Sequence, residues 1–288
     1  MPHSLLRPAT LLLFSTQLLA PMLPLRAAED ARKGEPTNAA EAAAQQAAAK
    51  KLEAEKRVSE AYSALVSKLS PEEQQWEKVL QENLGGFYLP IHKSDKVAGR
   101  STAWDFVKDD PKLPRVLLIG DSVSRGYTQA TRKALEGKAN VHRAPANCGP
   151  TAAGVQKLDI WLGEGQWDVI HFNFGIHDRA TPLPDYQSRL ESIIERLKKR
   201  ARHVVWATTT PIPEDPAKKQ FAASIVERNA AAAELAKKHQ LPVDDLFTAI
   251  TPHLAELQNP NDVHFNPAGY EFLGLRVAES IQKALGTP

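Results

Sequence analysis

One serine lies where a predicted strand passes into a predicted helix. The run "RVLLI" at residues 115–119 is typical of a buried strand, and "GDSVSRGY" at residues 120–127 follows it directly. This order leaves Ser122 at the carboxyl edge of a sheet, where α/β proteins place their chemistry. Serine is also a common N-cap of helices. The segment alone is therefore compatible with either a nucleophile or a helix cap.

Three other polar segments follow or adjoin predicted strands and helices. They are "NCGPT" (147–151), "FGIHD" (174–178) and "NDVHFNPAGY" (261–270). A serine hydrolase needs a hydroxyl, an imidazole that takes its proton, an acid that holds the imidazole, and donors for the developing oxyanion. We expect Ser122 to attack, His264 to act as general base and Asp262 to hold the imidazole. The backbone N–H groups of Ser122 and Gly149 are the expected oxyanion donors.

The order of these segments resembles the SGNH hydrolases, also called the GDSL esterase/lipase superfamily. A GDS block, a Gly block, a GxND-like block and a DxxH-like block follow one another over about residues 114–284. The resemblance implies a flavodoxin-like sandwich that deacylates esters, often acetyl groups on carbohydrates. Residues before 85 lie outside it.

Two blocks depart from the family pattern. The third block has His177 where the family has an oxyanion Asn, and an imidazole can also donate a hydrogen bond. We therefore expect His177 to be the third oxyanion donor, with a structural role in its loop as the alternative. In the last block Asn261 occupies the usual place of the acid, three residues before His264, and Asp262 stands only two residues before it. We expect Asp262 to be the acid. If Asn261 is the partner instead, the protein is a dyad or has lost hydrolysis.

Other polar residues near the same edge are candidates for contacts with substrate hydroxyls or an acidic sugar. They are Arg125, Asn147, Asp178 and Arg179, with Arg143 as a further possibility. Cys148 is the one cysteine of the chain, and a free cysteine is most often a small buried apolar residue rather than a nucleophile. His171, His177 and Asp178 lack the spacing of a zinc helix. No metal or cofactor is therefore expected.

The region from Arg115 onward alternates between predicted strands and amphipathic segments. The predicted strands are "RVLLI", "ANVHRA", "WDVIHFNF", "HVVWATT" and "LPVDDLF". Strands separated by helices pair in parallel and carry helices on both faces. The pattern predicts a three-layer α/β/α sandwich with a flavodoxin-like parallel sheet and an N-terminal helical extension.

The N-terminal part divides into three predicted segments. Residues 1–27 read as a secretory signal because a basic start, an apolar stretch and small residues follow one another, and Pro21 and Pro24 interrupt the stretch too early for a membrane span. Residues 28–85 are an Ala/Glu/Lys-rich helical extension in which Ser70 and Glu73 form a capping box. Residues 86–113 are expected to connect irregularly to the hydrolase-like domain, residues 114–288.

Charge and segment order together define the expected function. The net charge of +2 gives no reason to expect nucleic acid as a partner. We expect a secreted or periplasmic serine esterase that deacetylates a carbohydrate or another small ester through an acyl-enzyme, with no membrane span left after signal cleavage. Two alternatives stay open: an impaired carbohydrate-binding protein, and glycoside or acyl-transfer chemistry on the same fold. The sequence leaves the oligomeric state open.

Overall fold

The computed structural model describes residues 38–218 and 220–286. The predicted signal segment, residues 1–27, lies outside the described residues. The chain divides into two units, residues 1–50 and 51–288. The described part of the first unit is helical and rich in alanine. None of the described helices is long and apolar enough to cross a bilayer.

The second unit is built on a parallel sheet of five strands in the order β2-β1-β3-β4-β5. The strands are β1 (Arg115–Ile119), β2 (Asn140–Arg143), β3 (Trp167–Phe172), β4 (Ala201–Ala207) and β5 (Val243–Asp244). In β1, Leu117 and Ile119 belong to the apolar core on one face, whereas Val116 and Leu118 belong to the core on the other. A parallel sheet covered on both faces requires such a continuously apolar strand.

Helices cover both faces of the sheet, which confirms the predicted three-layer sandwich. The helices of the described residues are α1 (Asn38–Val66), α2 (Pro71–Asn83), α3 (Gly85–Val97), α4 (Ser122–Ala134), α5 (Thr151–Leu162), α6 (Leu183–Lys198), α7 (Ala222–His239), α8 (Leu246–Ile250), α9 (Leu254–Leu257) and α10 (Pro267–Leu285). Helices α5 and α6 pack with α7 on one face, and α4 and α10 pack on the other. Strand β1 is thus buried between β2 and β3, and α4, which begins at Ser122, packs with α10 on one face of the sheet.

The N-terminal helices are more extensive than the sequence suggested. Helix α2 begins with the predicted capping box, in which Ser70 Oγ accepts from the Glu73 amide and the Ser70 amide donates to the Glu73 carboxylate. The expectation of an irregular connection over residues 86–113 is wrong for residues 86–97, which belong to α3. Pro90 lies inside this helix and argued against it, because proline removes a helical hydrogen bond. Gly85 adopts a φ of +70°, so the chain turns there and starts a new helix.

The segment between α3 and β1 packs on the sandwich. Trp104 is 2% exposed and forms a small apolar cluster with Leu80 and Leu84. Trp76 Nε1 donates to the Trp104 carbonyl at 2.7 Å, and Gln129 of α4 donates to the Thr102 carbonyl at 2.6 Å. The segment around Trp104 therefore contacts both α2 and α4, the helix that begins at Ser122.

Candidate active site

The turn between β1 and α4 presents Ser122 without using it as a helix cap. Asp121 is the N-cap, and its side chain accepts from the Val123 amide at 2.9 Å. A Cβ at Gly120 would lie 2.7 Å from Ser124 Oγ, so glycine allows the helix to start this close to the strand. The cap function belongs to Asp121, which leaves the Ser122 hydroxyl for another partner.

The partner of Ser122 comes from the loop before α10. His264 Nε2 lies 2.7 Å from Ser122 Oγ, and His264 Nδ1 lies 2.8 Å from Asp262 Oδ1. When Nδ1 donates to the carboxylate, Nε2 is the acceptor for the serine proton. The three side chains are therefore connected in the order that a nucleophile, a general base and its orienting acid require.

The loop conformation brings Asp262, and not Asn261, to the imidazole. Asn261 is exposed and has a φ of +55°, a left-handed conformation that asparagine tolerates. The Asp262 amide donates to the Asn259 carbonyl, and the Asn259 amide donates to the His264 carbonyl, so the segment closes into a compact turn. This turn lets an acid two residues before the histidine reach Nδ1.

The environment of Asp262 favours its charged form. Burial alone would raise the pKa of Asp262, but hydrogen bonds from the His264 ring and from backbone amides hold the pKa below its usual value. The side chains of His264 and Asp262 are 35% and 46% exposed, so the pair remains open to solvent. Asp262 is thus a carboxylate at neutral pH and stabilises positive charge on the ring.

The expected oxyanion donors are two backbone amides, of Ser122 and Gly149, and one exposed side chain, that of His177. Gly149 follows β2 with a φ of +68°, a conformation that glycine adopts without strain. The amides of Ser122 and Gly149 donate to no other described residue. His177 lies in a 3-10 turn after β3, is exposed, and has no hydrogen bond with a described residue. Its imidazole is not occupied by a structural contact in its loop.

Arg143 is buried beneath the turn between β1 and α4 and stabilises that turn instead of facing solvent. It is 1% exposed, and its guanidinium donates to the carbonyls of Gly120 and Asp121 at 3.0 and 2.9 Å. It also donates to Ser124 Oγ at 2.6 Å. The expectation that Arg143 contacts substrate is therefore wrong. Its guanidinium instead holds the carbonyls of Gly120 and Asp121, the two residues before Ser122. The sequence could not predict this role, because nothing near Arg143 in the chain indicates that its side chain contacts the turn before Ser122.

The four predicted substrate contacts do not all reach the surface. Asp178 is fully buried, and its carboxylate accepts from the amide and hydroxyl of Thr151, so its placement does not support the expectation of a substrate contact. Arg179 is partly buried and donates to the Ile176 carbonyl at 2.7 Å. Arg125 and Asn147 are also partly buried, and each has one buried polar atom with no partner among the described residues, Arg125 Nε and Asn147 Oδ1. Of the four, only Arg125 and Asn147 have a buried polar atom without such a partner.

The remaining candidates have structural surroundings. Cys148 is 1% exposed, and burial raises the pKa of its thiol to about 12. His171 is buried, with Nε2 at 2.9 Å from the Asp244 carboxylate. Within residues 38–218 and 220–286 no group of three potential metal ligands comes together. A neutral, enclosed thiol is a poor nucleophile.

Comparisons with known proteins identify the family of the chain. Residues 118–272 match the model of the GDSL-like lipase/acylhydrolase family, and the chain belongs to that family, among the SGNH hydrolases. Its fold is that of proteins that hydrolyse esters. The match includes Ser122, Asp262 and His264 but none of the residues that form α1 to α3.

Several solved structures have a similar fold, and in three of them the aligned region includes nearly the whole chain. A lipase/acylhydrolase from Enterococcus faecalis is 22% identical with a TM-score of 0.53, over 59% of this chain and 96% of that one. An acetylxylan esterase from Geobacillus stearothermophilus is 15% identical with a TM-score of 0.50, over 61% and 95%. A protein from Slackia heliotrinireducens described as a putative SGNH hydrolase is 19% identical with a TM-score of 0.50, over 59% and 99%. A search of curated proteins found no significant match. At these identities the likeness concerns the fold.

Proposed function

We propose that this protein is an exported serine esterase that removes acetyl or other small acyl groups from a carbohydrate or a similar alcohol. The observation that carries the proposal is the chain of contacts from Ser122 Oγ through His264 to Asp262, at 2.7 and 2.8 Å. Family membership and the acetylxylan esterase among the structures of similar fold support the substrate class. Export rests on the sequence pattern of residues 1–27.

The reaction follows from the order of the groups. Ser122 Oγ attacks the ester carbonyl while its proton passes to His264 Nε2, and the ring cation is stabilised by Asp262. The amides of Ser122 and Gly149, with His177 as third donor, stabilise the oxyanion of the tetrahedral intermediate. The intermediate expels the alcohol, which takes the proton from Nε2, and leaves an acyl-Ser122 ester. Water then attacks that ester by the same route and releases the carboxylic acid.

Hydrolysis of p-nitrophenyl acetate tests this proposal. The mature protein should release p-nitrophenol, and Ser122→Ala should lower kcat/KM by about 10⁴-fold or more. Ser188→Ala removes an exposed hydroxyl from α6 and is the matched control, with wild-type activity expected. Equal rates in wild type and Ser122→Ala would overturn the proposal.

A carbohydrate-binding protein without turnover is the second candidate. The observation in its favour is the replacement of the oxyanion asparagine by His177, since loss of one donor costs about 10²–10³-fold in rate. A folded wild type that binds acetylated xylan oligosaccharides but hydrolyses neither them nor p-nitrophenyl acetate would select this alternative.

A further inference from the structure

Arg125 occupies a position that allows a direct role beside Ser122. It lies three residues after Ser122 in α4, and residues at this spacing are neighbours on one helix face. Its guanidinium lies 5.4 Å from the ring centre of Tyr88 and 5.9 Å from that of Trp104. Both distances are within the range of cation–π contacts, which hold the charged group in place without neutralising it.

The charge of Arg125 has no counter-ion among the described residues. It forms no ion pair or side-chain hydrogen bond, and its buried Nε has no acceptor. Asp121, four residues earlier, already accepts from the Val123 amide. A buried donor without an acceptor is unfavourable. Among the described residues, Arg125 Nε therefore has a hydrogen bond left to make.

A second guanidinium close by increases the local positive charge. Arg143 lies 5.9 Å from the same Trp104 ring, but its N–H groups are used by the serine turn. Burial is the main cause that lowers the pKa of Arg143, and the charge of Arg125 lowers it further. Arg179 also adds a positive charge near Asp121. An anion bound to Arg125 would relieve this repulsion.

The two rings that contact Arg125 belong to residues outside the region that matches the family. Tyr88 belongs to α3, and Trp104 to the segment that follows it. At the next residue of α4, the Tyr270 ring packs so closely that a Cβ at Gly126 would lie 2.0 Å from it. Burial raises the pKa of Tyr270, and the Phe265 backbone and then the charge of Arg125 each offset part of that rise. Arg125 thus contacts two rings of the N-terminal segments, and its charge reaches Tyr270 of α10, the helix that follows the His264 loop.

We propose that Arg125, held against Tyr88 and Trp104, binds a carboxylate or phosphate group of the ester substrate, so that the enzyme selects acylated anionic sugars over neutral ones. A guanidinium binds both oxyanions through paired N–H groups. This inference rests on the proposed esterase function and names the substrate class of the same site. It also gives the N-terminal helices a part in substrate recognition.

Three substrates that differ in one group test the inference. They are an O-acetylated methyl glucuronide, the matching acetylated methyl glucoside, and the acetylated methyl glucoside 6-phosphate. Wild type should have a kcat/KM about tenfold or more higher for an anionic ester than for the neutral one, as a charge-assisted hydrogen bond implies. The preferred anion identifies the source as a uronic acid or a phosphorylated sugar.

The ratio between anionic and neutral substrate is the decisive readout in variants. Arg125→Gln should bring the ratio close to one, Arg125→Lys should retain part of it, and Tyr88→Leu should lower it. Lys133→Gln removes an exposed positive charge from the same helix and should keep the wild-type ratio. A wild-type ratio near one, or an unchanged ratio in Arg125→Gln, would overturn the anion site while leaving the esterase function intact.

Binding separates this inference from failure of the esterase proposal. Titration calorimetry with Ser122→Ala should give a Kd about tenfold or more lower for the preferred anionic ester than for the glucoside. If wild type hydrolyses nothing and this difference persists, the esterase function fails and the anion site stands. Equal Kd values would reject the anion site.

Discussion

The pair His264–Asp262 and the pair His92–Glu77 both join an imidazole nitrogen to a carboxylate oxygen at 2.8 Å. The first pair is 35% and 46% exposed, whereas both side chains of the second are completely buried. Each pair has a hydroxyl neighbour, but Ser122 contacts the imidazole and Tyr62 donates to the carboxylate. In the open pair the hydroxyl can pass its proton to the ring.

The sealed pair connects helices and has no access to substrate. Glu77 of α2 accepts from Tyr62 of α1 and contacts His92 and Lys96 of α3, with Lys96 Nζ 2.8 Å from Oε1. Burial alone would raise the pKa of Glu77, but His92, Lys96 and Tyr62 together lower it to about 2. We propose that these two residue types act in catalysis where they are open, whereas they connect helices where they are enclosed.

The largest expected effect tests the carboxylate of the open pair. Asp262→Asn should lower kcat by about 10⁴-fold, because an amide can donate to Nδ1 and hold the ring in the wrong tautomer. Asn261→Gly is the matched control and should keep activity, since glycine accepts the left-handed conformation of that residue. Steady-state kinetics on p-nitrophenyl acetate measures both. Similar losses in the two variants would mean that the loop conformation, and not the acid, is needed.

A smaller effect on rate is expected from His177, the proposed third donor to the oxyanion. His177→Ala should lower kcat by about 10²–10³-fold, the usual cost of one oxyanion donor. His177→Asn should retain most of the activity because its amide can donate in the same place. Equal losses in both variants would remove His177 from the oxyanion site.

The sealed pair should affect stability and not rate. Glu77→Gln should lower the free energy of unfolding by about 3 kcal/mol, at the lower end for a broken buried ion pair. Its activity at 25 °C should match wild type, provided that the protein remains folded. Urea unfolding and p-nitrophenyl acetate turnover measure the two quantities. A large loss of kcat in a fully folded Glu77→Gln protein would contradict the assignment.

The pH dependence of stability should follow Glu77. Its pKa is about 2 when folded, and about 4.3 is usual for an unfolded chain. Its contribution is therefore complete above the unfolded value and is lost as the pH falls from about 4.3 toward about 2. Unfolding followed from pH 6 to pH 3 should show a loss of stability that is smaller in Glu77→Gln. The same slope in both proteins would place the acid sensitivity elsewhere.

The smallest expected effect concerns the enclosed thiol. Iodoacetamide should neither modify Cys148 in the native protein nor reduce esterase activity, because the thiol is buried and neutral. The same reagent should modify it in urea, as mass spectrometry can record. Rapid modification of the native protein with loss of activity would place Cys148 at the site.

Patterns local to the chain predicted the fold well. The apolar runs gave all five strands, and the Ser70–Glu73 spacing predicted the start of α2, because both depend on residues close in sequence. Ser122 and His264 could be chosen because they belong to ordered blocks. The choice between Asn261 and Asp262 depended on the left-handed φ of Asn261. The sequence does not determine that angle.

What the sequence could not predict depends on packing between distant segments. His92 follows Glu77 by 15 residues and Trp104 precedes Arg143 by 39, and neither spacing has a periodic signal. Asp178 was expected at the surface because it follows a strand, but the Thr151 amide and hydroxyl draw its carboxylate into the interior. Helix α3 was not predicted, and Pro90 lies inside it, where proline is disfavoured.

The most direct test of the account is the site of covalent labelling by a fluorophosphonate on the folded wild-type protein. Peptide mass spectrometry should find a single adduct on Ser122, formed much more slowly in Asp262→Asn and absent from urea-denatured protein, because the hydroxyl is reactive only beside His264. Absence of an adduct on folded wild type, or an adduct that persists in Ser122→Ala, would contradict the assignment of Ser122 as the nucleophile.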